Sequence, residues 1–224
     1  MGVSVIIPTW NEESCLAETL RLLRLQRPHE IIVADGGSGD ATCQLAAAAD
    51  KLVHATRGRA MQMNQGAAQA AGDVLLFLHA DCSLQSGALT EAERILQHGG
   101  VVAGCFTMAV QASGLLYRAV NVCATARVRL AGLAYGDQGL FLRKECFEQA
   151  GGFPQVRFME DLLLSQTLRQ RGRIVVASKR IFVSPRRWQR AGLIQQTLRN
   201  WTLTALAALG VHPDRLARYY SAVR

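Results

Sequence analysis

Three groups of polar residues each follow a short apolar segment that is typical of a buried strand. The apolar segments are residues 3–7, 31–34 and 74–78, and the polar groups are residues 8–13, 35–42 and 79–81. In an open α/β sheet, the carboxyl ends of parallel strands lie along one edge and ligands bind in the crevice there. The sequence therefore predicts one site built from three loops.

The second polar group combines a carboxylate with a glycine-rich turn. Asp35 ends a strand and is followed by glycines at 36, 37 and 39, which let the backbone bend sharply and approach a ligand closely. A carboxylate there can accept hydrogen bonds from ribose hydroxyls or from the N–H of a base. For Asp40 we favour the simpler interpretation of a helix cap, whereas for Asp35 we favour a ligand contact.

The third group, His79-Ala80-Asp81, ends the most hydrophobic strand of the chain. Residues 79 and 81 of an extended segment lie on the same side, so both side chains could reach one ion or one diphosphate. Carboxylate oxygens suit Mg²⁺ or Mn²⁺, which neutralise a diphosphate. The alternative is a hydrogen-bonded histidine beside an aspartate that caps a helix.

Other common designs are missing from the sequence. There is no P-loop, no G-x-G-x-x-G and no G-x-S-x-G, which disfavours P-loop NTPases, dinucleotide oxidoreductases and α/β-hydrolases. The six cysteines form no C-x-x-C pair and no zinc-like spacing, so we expect reduced thiols. Without a leader or an apolar segment of membrane-spanning length, the expected location is cytoplasmic.

Positive charge is concentrated in the last quarter of the chain. The 224 residues carry a formal net charge of +8, and residues 169–224 hold 12 Lys and Arg against one acid. Such a segment attracts nucleic acid, an anionic membrane surface or a phosphorylated substrate, or it is simply a solvated face. No nucleic-acid-binding frame accompanies it, so we expect no nucleic-acid partner.

Strand and helix patterns alternate through the first half of the chain. Helices are predicted over 14–24, 40–49 and 58–71, with a short strand at 51–54, and this order indicates an α/β fold with a mainly parallel central sheet and helices on both faces. In the second half, the patterns predict strands at 101–110, 134–143 and 173–177 and helices at 115–130, 160–171 and 192–210. We expect one domain over residues 1–180. Residues 181–224 are expected to form a basic helical extension packed on the domain or on a membrane surface.

The ordered set of these segments resembles the family 2 glycosyltransferases of the GT-A fold. The resemblance rests on residues 4–13, 33–42, 72–81, 139–154 and 159–161, and it covers roughly residues 3–175. The His-Ala-Asp variant is similar to a small bacterial subgroup of that family. Two positions depart from the family pattern, because Gly36 and His79 stand where many relatives have aspartate.

The resemblance implies roles for individual residues. Pro8, Asn11 and Glu12 would line the nucleotide pocket, and Asp35 would hold the base or the ribose. Asp81, with His79 beside it, would bind Mg²⁺ or Mn²⁺ on the diphosphate. Of the acidic pair Glu160 and Asp161, either could supply the general base.

Further contacts are expected from cationic and polar side chains. Arg can bind phosphate oxygens in a bidentate manner, which makes Arg59 a candidate for the diphosphate and Arg186 and Arg187 candidates for phosphate or acceptor contacts. Asn64 would approach the nucleotide and Asp137 the donor sugar. Surface solubility is the alternative explanation for these arginines.

The expected activity is inverting transfer of a sugar from a nucleoside-diphosphate sugar to an unidentified hydroxyl acceptor, assisted by a metal. A lipid-linked acceptor would bring the basic extension to the inner face of a membrane, where the apolar stripe of residues 192–210 could make peripheral contact. Trp188 and Trp201 could stack on a sugar or lie at a membrane interface, but we favour core packing for both. The alternatives are a nucleotidyltransferase and a non-catalytic nucleotide-binding or membrane-adaptor protein.

Overall fold

The computed structural model describes residues 1–208 and 211–219, without the side chains of Arg187, Arg190, Ala191, Leu193 and Ala208. The strands of this part are β1 (Val3–Thr9), β2 (Glu30–Asp35), β3 (Lys51–His54), β4 (Val74–Phe77), β5 (Cys82–Leu84), β6 (Val101–Val110), β7 (Leu140–Arg143) and β8 (Arg173–Val183). The helices are α1 (Leu16–Arg24), α2 (Thr42–Leu45), α3 (Arg59–Ala68), α4 (Ala88–Leu96), α5 (Leu115–Ala131), α6 (Lys144–Gln149), α7 (Glu160–Arg169), α8 (Arg186–Ala191), α9 (Leu193–Ala208) and α10 (Pro213–Leu216).

All eight described strands form one sheet in the order β3-β2-β1-β4-β7-β6-β8-β5. The first four are parallel to each other, β7 is antiparallel to both of its neighbours, and β8 is parallel to β6 and antiparallel to β5. The predicted α/β fold is confirmed, with a sheet that is parallel in its first half and mixed in its second. Because the chain direction reverses twice around β7, β6 and β8 run in the same direction as β1 and end at the same edge.

The central strands are buried on both faces. Ile7 and Val33 pack on one side of the sheet together with Leu16 and Leu20 of α1. Their neighbours, such as Ile6, pack on the other side with the small apolar face of α3. The period-two alternation of a strand divides one continuous apolar segment between two layers of helices. These layers hold the strand ends, and therefore the loops that follow them, in fixed positions.

Three regions differ from the sequence patterns, namely residues 82–96, residues 134–139 and the end of β8. Only Leu140–Arg143 of the predicted strand 134–143 is extended, because a one-turn helix, Gly136–Gln138, precedes it. Gln138 is buried and accepts a hydrogen bond from Arg127 (2.7 Å), which holds this turn out of the sheet. Strand β8 continues to Val183, and β5 and α4 were not predicted. Pairing with β5 supplies the hydrogen bonds that extend β8, and such pairing leaves no local pattern.

The C-terminal helices begin at the end of β8 and pack against α7. Met159 and Leu162 form a small apolar cluster with Leu203 of α9 and Leu216 of α10. The boundary predicted at residue 181 lies inside β8, so the helical extension starts after this strand. None of the described helices combines the length and the apolar character that crossing a membrane requires.

Glu30, at the start of β2, connects this strand with β1, with β3 and with the segment before β4. Its carboxylate accepts a hydrogen bond from Ser4 (2.6 Å) and one from the Ala71 N–H (2.5 Å), and it pairs with Lys51 (2.8 Å). Burial raises the pKa of Glu30, but the contacts with Lys51, Ser4 and Ala71 outweigh it and lower the pKa to about 2. The folded state therefore gains stability from ionised Glu30 above its ordinary pKa, and this gain is lost as the pH falls towards about 2.

We predict that Glu30→Gln lowers the free energy of unfolding by about 1–3 kcal/mol at neutral pH, since it removes a charge from a buried, hydrogen-bonded network. The difference from the unsubstituted protein should shrink as the pH falls below the ordinary pKa of glutamate. Urea unfolding at neutral pH and at about pH 3 measures both effects. The matched control is Glu18→Gln, whose partner Arg21 is equally exposed and which should change nothing measurable. Equal effects of the two substitutions would contradict the role of Glu30.

Candidate active site

The loops that follow β1, β2 and β4 meet at one edge of the sheet, as the sequence predicted. Thr9 and Asp35 end β1 and β2 directly opposite each other, and the Thr9 hydroxyl donates a hydrogen bond to Asp35 (3.0 Å). Strand β7 starts at Leu140, opposite Phe77 at the end of β4, so the turn before β7 lies at the same edge. A cleft of about 820 Å³, counted to its mouth, lies there. Its lining includes Arg59, His79, Asp81, Asp137, Glu160 and Asp161.

Arg186 links the loop after β1 to the loop after β4. Its guanidinium lies between two carboxylates, 2.8 Å from Glu12 and 3.0 Å from Asp81. Burial lowers the pKa of Arg186, but the two acids outweigh it and keep the pKa above its usual value, so the side chain stays charged. Strand β8 positions this arginine, because β8 ends at the site edge and the Ser184 N–H donates to the carbonyl of Asp81 (3.4 Å).

Arg59, the first residue of α3, contacts two other predicted site residues. Its Nη2 lies 2.5 Å from Nε2 of His79, and its Nε lies 3.2 Å from a carboxylate oxygen of Glu160. Arginine has only hydrogen-bond donors, so Nε2 of His79 must accept and the ring proton must lie on Nδ1. In the structure, Nε2 of His79 therefore contacts Arg59.

The two acids at the start of α7 have different surroundings. Glu160 is 2% exposed, and its pKa is raised by burial, lowered by Arg59 and raised by Asp161, with a net increase over the usual value. Asp161 lines the cleft and accepts hydrogen bonds from the N–H groups of Gly136 and Leu162. Glu160 is thus enclosed against Arg59, whereas Asp161 is oriented at the cleft.

Asp35 holds its own loop together. Its carboxylate accepts hydrogen bonds from the N–H groups of Gly37 (2.9 Å) and Ser38 (2.8 Å) and from the Ser38 hydroxyl (2.5 Å). Burial raises the pKa of Asp35, but the bonds from Ser38, Cys43 and Thr9 outweigh it and leave the pKa below its usual value. The ionised carboxylate fixes the turn that the glycines allow.

The loop after β1 is tied to the loop after β2. Asn11 has a left-handed backbone (φ 55°), and its side chain accepts a hydrogen bond from the Gly39 N–H (2.9 Å). The Glu12 N–H donates to the Thr42 hydroxyl (2.8 Å). These contacts place the Glu12 carboxylate where it meets Arg186.

Asn11, Glu12, Asp35 and Arg186 lie at this edge of the sheet but do not line the cleft, and three further predicted residues lie in different positions. Both groups of the Asn64 amide bond the backbone of Phe153, at 2.8 and 2.9 Å, so the structure does not bring this side chain into the cleft. Pro8 lines a smaller cavity of about 270 Å³ beside His79 and Asp161. The side chain of Arg187 lies outside the described residues.

The sequence of the chain matches the model of a known protein family. The model of the family described as glycosyl transferase family 2 matches residues 4–154. The chain belongs to glycosyl transferase family 2. This confirms the family that the sequence motifs indicated and disfavours a nucleotidyltransferase.

Curated relatives support the same placement in family 2. An undecaprenyl-phosphate 4-deoxy-4-formamido-L-arabinose transferase of Pseudomonas fluorescens is 30% identical over 155 residues, which cover 63% of this chain and 46% of the relative. A protein of the same name from Serratia proteamaculans is 28% identical over 155 residues, covering 63% and 48%. The chain spans about half the length of the curated relatives that it matches.

Solved structures confirm the GT-A fold of this family 2 member. S. aureus TarS, residues 1–349, aligns with a TM-score of 0.65 at 20% identity, covering 83% of this chain and 61% of TarS. The mannosyltransferase PcManGT from Pyrobaculum calidifontis, solved with GDP-Man and Mn²⁺, aligns with a TM-score of 0.65 at 22% identity, covering 80% and 56%. At this level of identity the likeness shows the fold alone.

Two places in the described part of the chain hold side chains that could bind a metal ion. Asp81 offers hard carboxylate oxygens at the cleft, and one of them, Oδ2, pairs with Arg186. Asp35, Cys43 and His54 place possible ligand atoms within 4.8 Å of one another. Burial and Asp35 raise the pKa of the Cys43 thiol, and sulfur is a softer ligand than Mg²⁺ or Mn²⁺ prefers. The donor set at Asp81 therefore fits a divalent cation better.

Several cleft residues were missed by the sequence analysis. They are Tyr135, Gly136, Asn200 and Thr204. The hydroxyl groups of Tyr135 and Thr204 are hydrogen-bonded, which brings α9 to the cleft. A glycine inside a strand-like pattern can indicate a close backbone approach, and Gly136 carried that signal.

We predict that Gly136→Ala disrupts the site while leaving the fold intact. A Cβ at this position would lie 2.7 Å from Arg59, 2.9 Å from His79 and 3.2 Å from Asp161, all at the ends of side chains that would have to move. Nucleotide-sugar turnover should fall by roughly tenfold or more, since a misplacement of catalytic groups by about 1 Å strongly lowers the reaction rate. The control is Gly39→Ala, where nothing lies within 4 Å of the added Cβ. Equal turnover of the two variants, with unchanged thermal unfolding, would contradict the prediction.

Proposed function

We propose that this protein is an inverting glycosyltransferase that moves a sugar from a nucleoside-diphosphate sugar to a hydroxyl of a lipid-linked acceptor, assisted by Mg²⁺ or Mn²⁺. The observation that carries the proposal is that one cleft is lined by Asp161, Asp81 and Arg59. Asp161 is a candidate base, Asp81 is a candidate metal ligand, and Arg59 is a cation paired with the buried Glu160. A non-catalytic nucleotide-binding protein would need the cation and the metal ligand but not a base.

Asp161 is the better candidate for the general base. Its carboxylate lines the cleft, and the N–H groups of Gly136 and Leu162 orient its two oxygens while leaving each a free lone pair. Glu160 is enclosed and paired with Arg59, so it acts as a positioning residue. Asp161 would take the proton of the acceptor hydroxyl. The hydroxyl oxygen would attack the anomeric carbon of the donor sugar, and the nucleoside diphosphate would leave.

Positive groups around the departing diphosphate complete the proposed site. Arg59 lies at the start of α3, held by His79 and Glu160 in a single orientation. A divalent cation, when bound, would neutralise charge on the diphosphate. Asp81 would hold it, and Glu12 lies on the other side of the same guanidinium.

Arg186 and a cation would compete for the same two carboxylates. The guanidinium of Arg186 already neutralises Glu12 and Asp81 in the structure. A divalent ion carries twice this charge, and with the added attraction of a diphosphate it could displace the arginine from Asp81. The freed guanidinium would then be available for the phosphate oxygens.

The relatives support a lipid acceptor and a nucleotide-sugar donor, whereas the hydroxyl of the proposed acceptor rests on the base candidate Asp161. The two curated relatives are named as transferases that act on undecaprenyl phosphate, which is a lipid phosphate. S. aureus TarS has been solved with UDP-GlcNAc and PcManGT with GDP-Man. We therefore propose UDP or GDP as the nucleotide and a membrane surface as the working location.

Calorimetric titration with UDP and with GDP, with and without Mn²⁺, tests the donor and metal parts of the proposal. We predict that one nucleotide binds more tightly with Mn²⁺ and that Asp81→Ala loses this gain. Arg186→Gln should bind Mn²⁺ alone roughly tenfold more tightly than the unsubstituted protein, because it removes a competing charge at Asp81. The matched control is Arg180→Gln, on the exposed part of β8. Unchanged Mn²⁺ affinity in Arg186→Gln would contradict the competition, and no nucleotide binding at all would favour a non-enzymatic function.

The role of Asp161 is tested separately from binding. We predict that Asp161→Asn lowers nucleotide release from a UDP- or GDP-sugar by 10²–10⁴-fold, the range typical of a lost general base, while the affinity for the nucleotide stays within about threefold. Glu148→Gln, an exposed acid of α6, is the control and should retain full turnover. Unchanged turnover of Asp161→Asn would rule out this base.

A further inference from the structure

Helices α5 and α9 have their apolar faces turned outward. Ten large apolar side chains of the described residues are exposed, and seven of them lie on these two helices. They are Leu115, Leu116, Val122 and Leu130 on α5 and Ile194, Leu198 and Trp201 on α9, each between 54% and 84% exposed. A helix on the surface of a water-soluble domain normally has the opposite orientation, with its apolar stripe facing the core.

The sequence spacing of the exposed apolar residues shows that they form one continuous face on each helix. On α5 the exposed positions 115, 119, 122 and 130 follow the helical repeat, and Ala119 adds a further apolar residue between the larger ones. On α9 the exposed positions 194, 198, 201 and 205 do the same. The prediction that Trp201 packs in the core is wrong, because its side chain is 55% exposed.

Polar residues of α9 point inward, to the cleft. Asn200 and Thr204 line the cleft described above, and Gln196 is fully buried. Helix α9 therefore has apolar side chains on its outer side as well as on its inner side, where Leu203 packs with Met159. Such an arrangement is stable when the outer side meets an apolar medium.

The charge of the two helices is complementary to an anionic surface. Neither helix contains aspartate or glutamate in its sequence, and Arg118 and Arg129 are exposed at one edge of the apolar face of α5. Arginines beside an apolar helix face are typical of segments that lie in the headgroup region of an anionic bilayer. An interface with a second copy of this chain would bring the same arginines together, which is unfavourable.

A second cavity lies between this surface and the cleft. It has a volume of about 440 Å³ and lies between α5 and α9, where Cys123 and Trp201 line it. It shares Tyr135, Asp137, Trp188 and Asn200 with the cleft. The two spaces are therefore adjacent and meet at these four side chains.

We infer that the outward faces of α5 and α9 together form a surface that docks on an anionic lipid bilayer, with the cavity between the helices leading from the bilayer to the cleft. The second half of this inference, the path for the acceptor, rests on the proposed function. The docking surface itself rests on the exposed residues and their charge. Docking would place the cleft within reach of an acceptor head group without a membrane-spanning helix.

Sedimentation with lipid vesicles tests the inference on the full-length protein. We expect binding to vesicles of phosphatidylcholine mixed with phosphatidylglycerol and weaker binding to phosphatidylcholine alone. Val122→Glu and Leu198→Glu should each reduce the bound fraction by roughly tenfold, since each removes an exposed apolar side chain that would enter the bilayer and adds a repelling charge. The matched control is Leu25→Glu, an exposed leucine at the end of α1, which should bind as the unsubstituted protein does.

Two further readouts make the result decisive. Trp201 should shift its fluorescence to shorter wavelength with anionic vesicles, and the shift should be lost in Trp201→Phe. UDP and GDP affinities should stay the same in the α5 and α9 variants, so that failure of docking is distinguished from failure of the donor site. Equal binding by all variants would overturn the inference. A dimer in solution that Val122→Glu separates, together with no vesicle binding, would assign the face to a second copy and overturn it as well.

Discussion

The guanidinium of Arg186, held between the carboxylates of Glu12 and Asp81, connects the loop after β1, the loop after β4 and the start of α8. The parallel strands deliver these acids to one edge, where they would repel each other without a cation. A second arginine, Arg59, neutralises one buried carboxylate, that of Glu160. The shape of the cleft therefore depends on two cations that are far apart in the sequence.

The sheet explains how these distant residues meet. Strand β7 is antiparallel to both neighbours, and this double reversal returns β8 to the direction of β1. Consequently β8 ends at the edge where β1, β2 and β4 end, and the chain continues directly into α8 with Arg186. The C-terminal helices are thus part of the site rather than an attachment, since α9 contributes Asn200 and Thr204 to the cleft.

Neighbouring acids in this site differ in role because their environments differ. Glu160 is buried against Arg59, which makes it a structural partner of that cation, while Asp161 is one residue further on and lies at the cleft. A similar division separates Asp35, whose oxygens hold its own turn, from Asp81, whose oxygens face a cation. Such distinctions come from the partners of each carboxylate, because all four have nearly the same intrinsic acidity.

The sequence by itself determined the strand-loop order of the first half, the edge where the loops meet and the family motifs, because strong apolar segments and glycine turns act over a few residues. It also pointed to Asp81, Asp161 and Arg59, which the structure brings to one cleft. Only the tertiary structure decided that Asn64 bonds Phe153, that residues 134–139 form a turn rather than a strand, and that Trp201 faces outward. The pairing of Arg186 with Glu12 spans 174 residues, and contacts of that range depend on how the strands are ordered in the sheet, which no local pattern records.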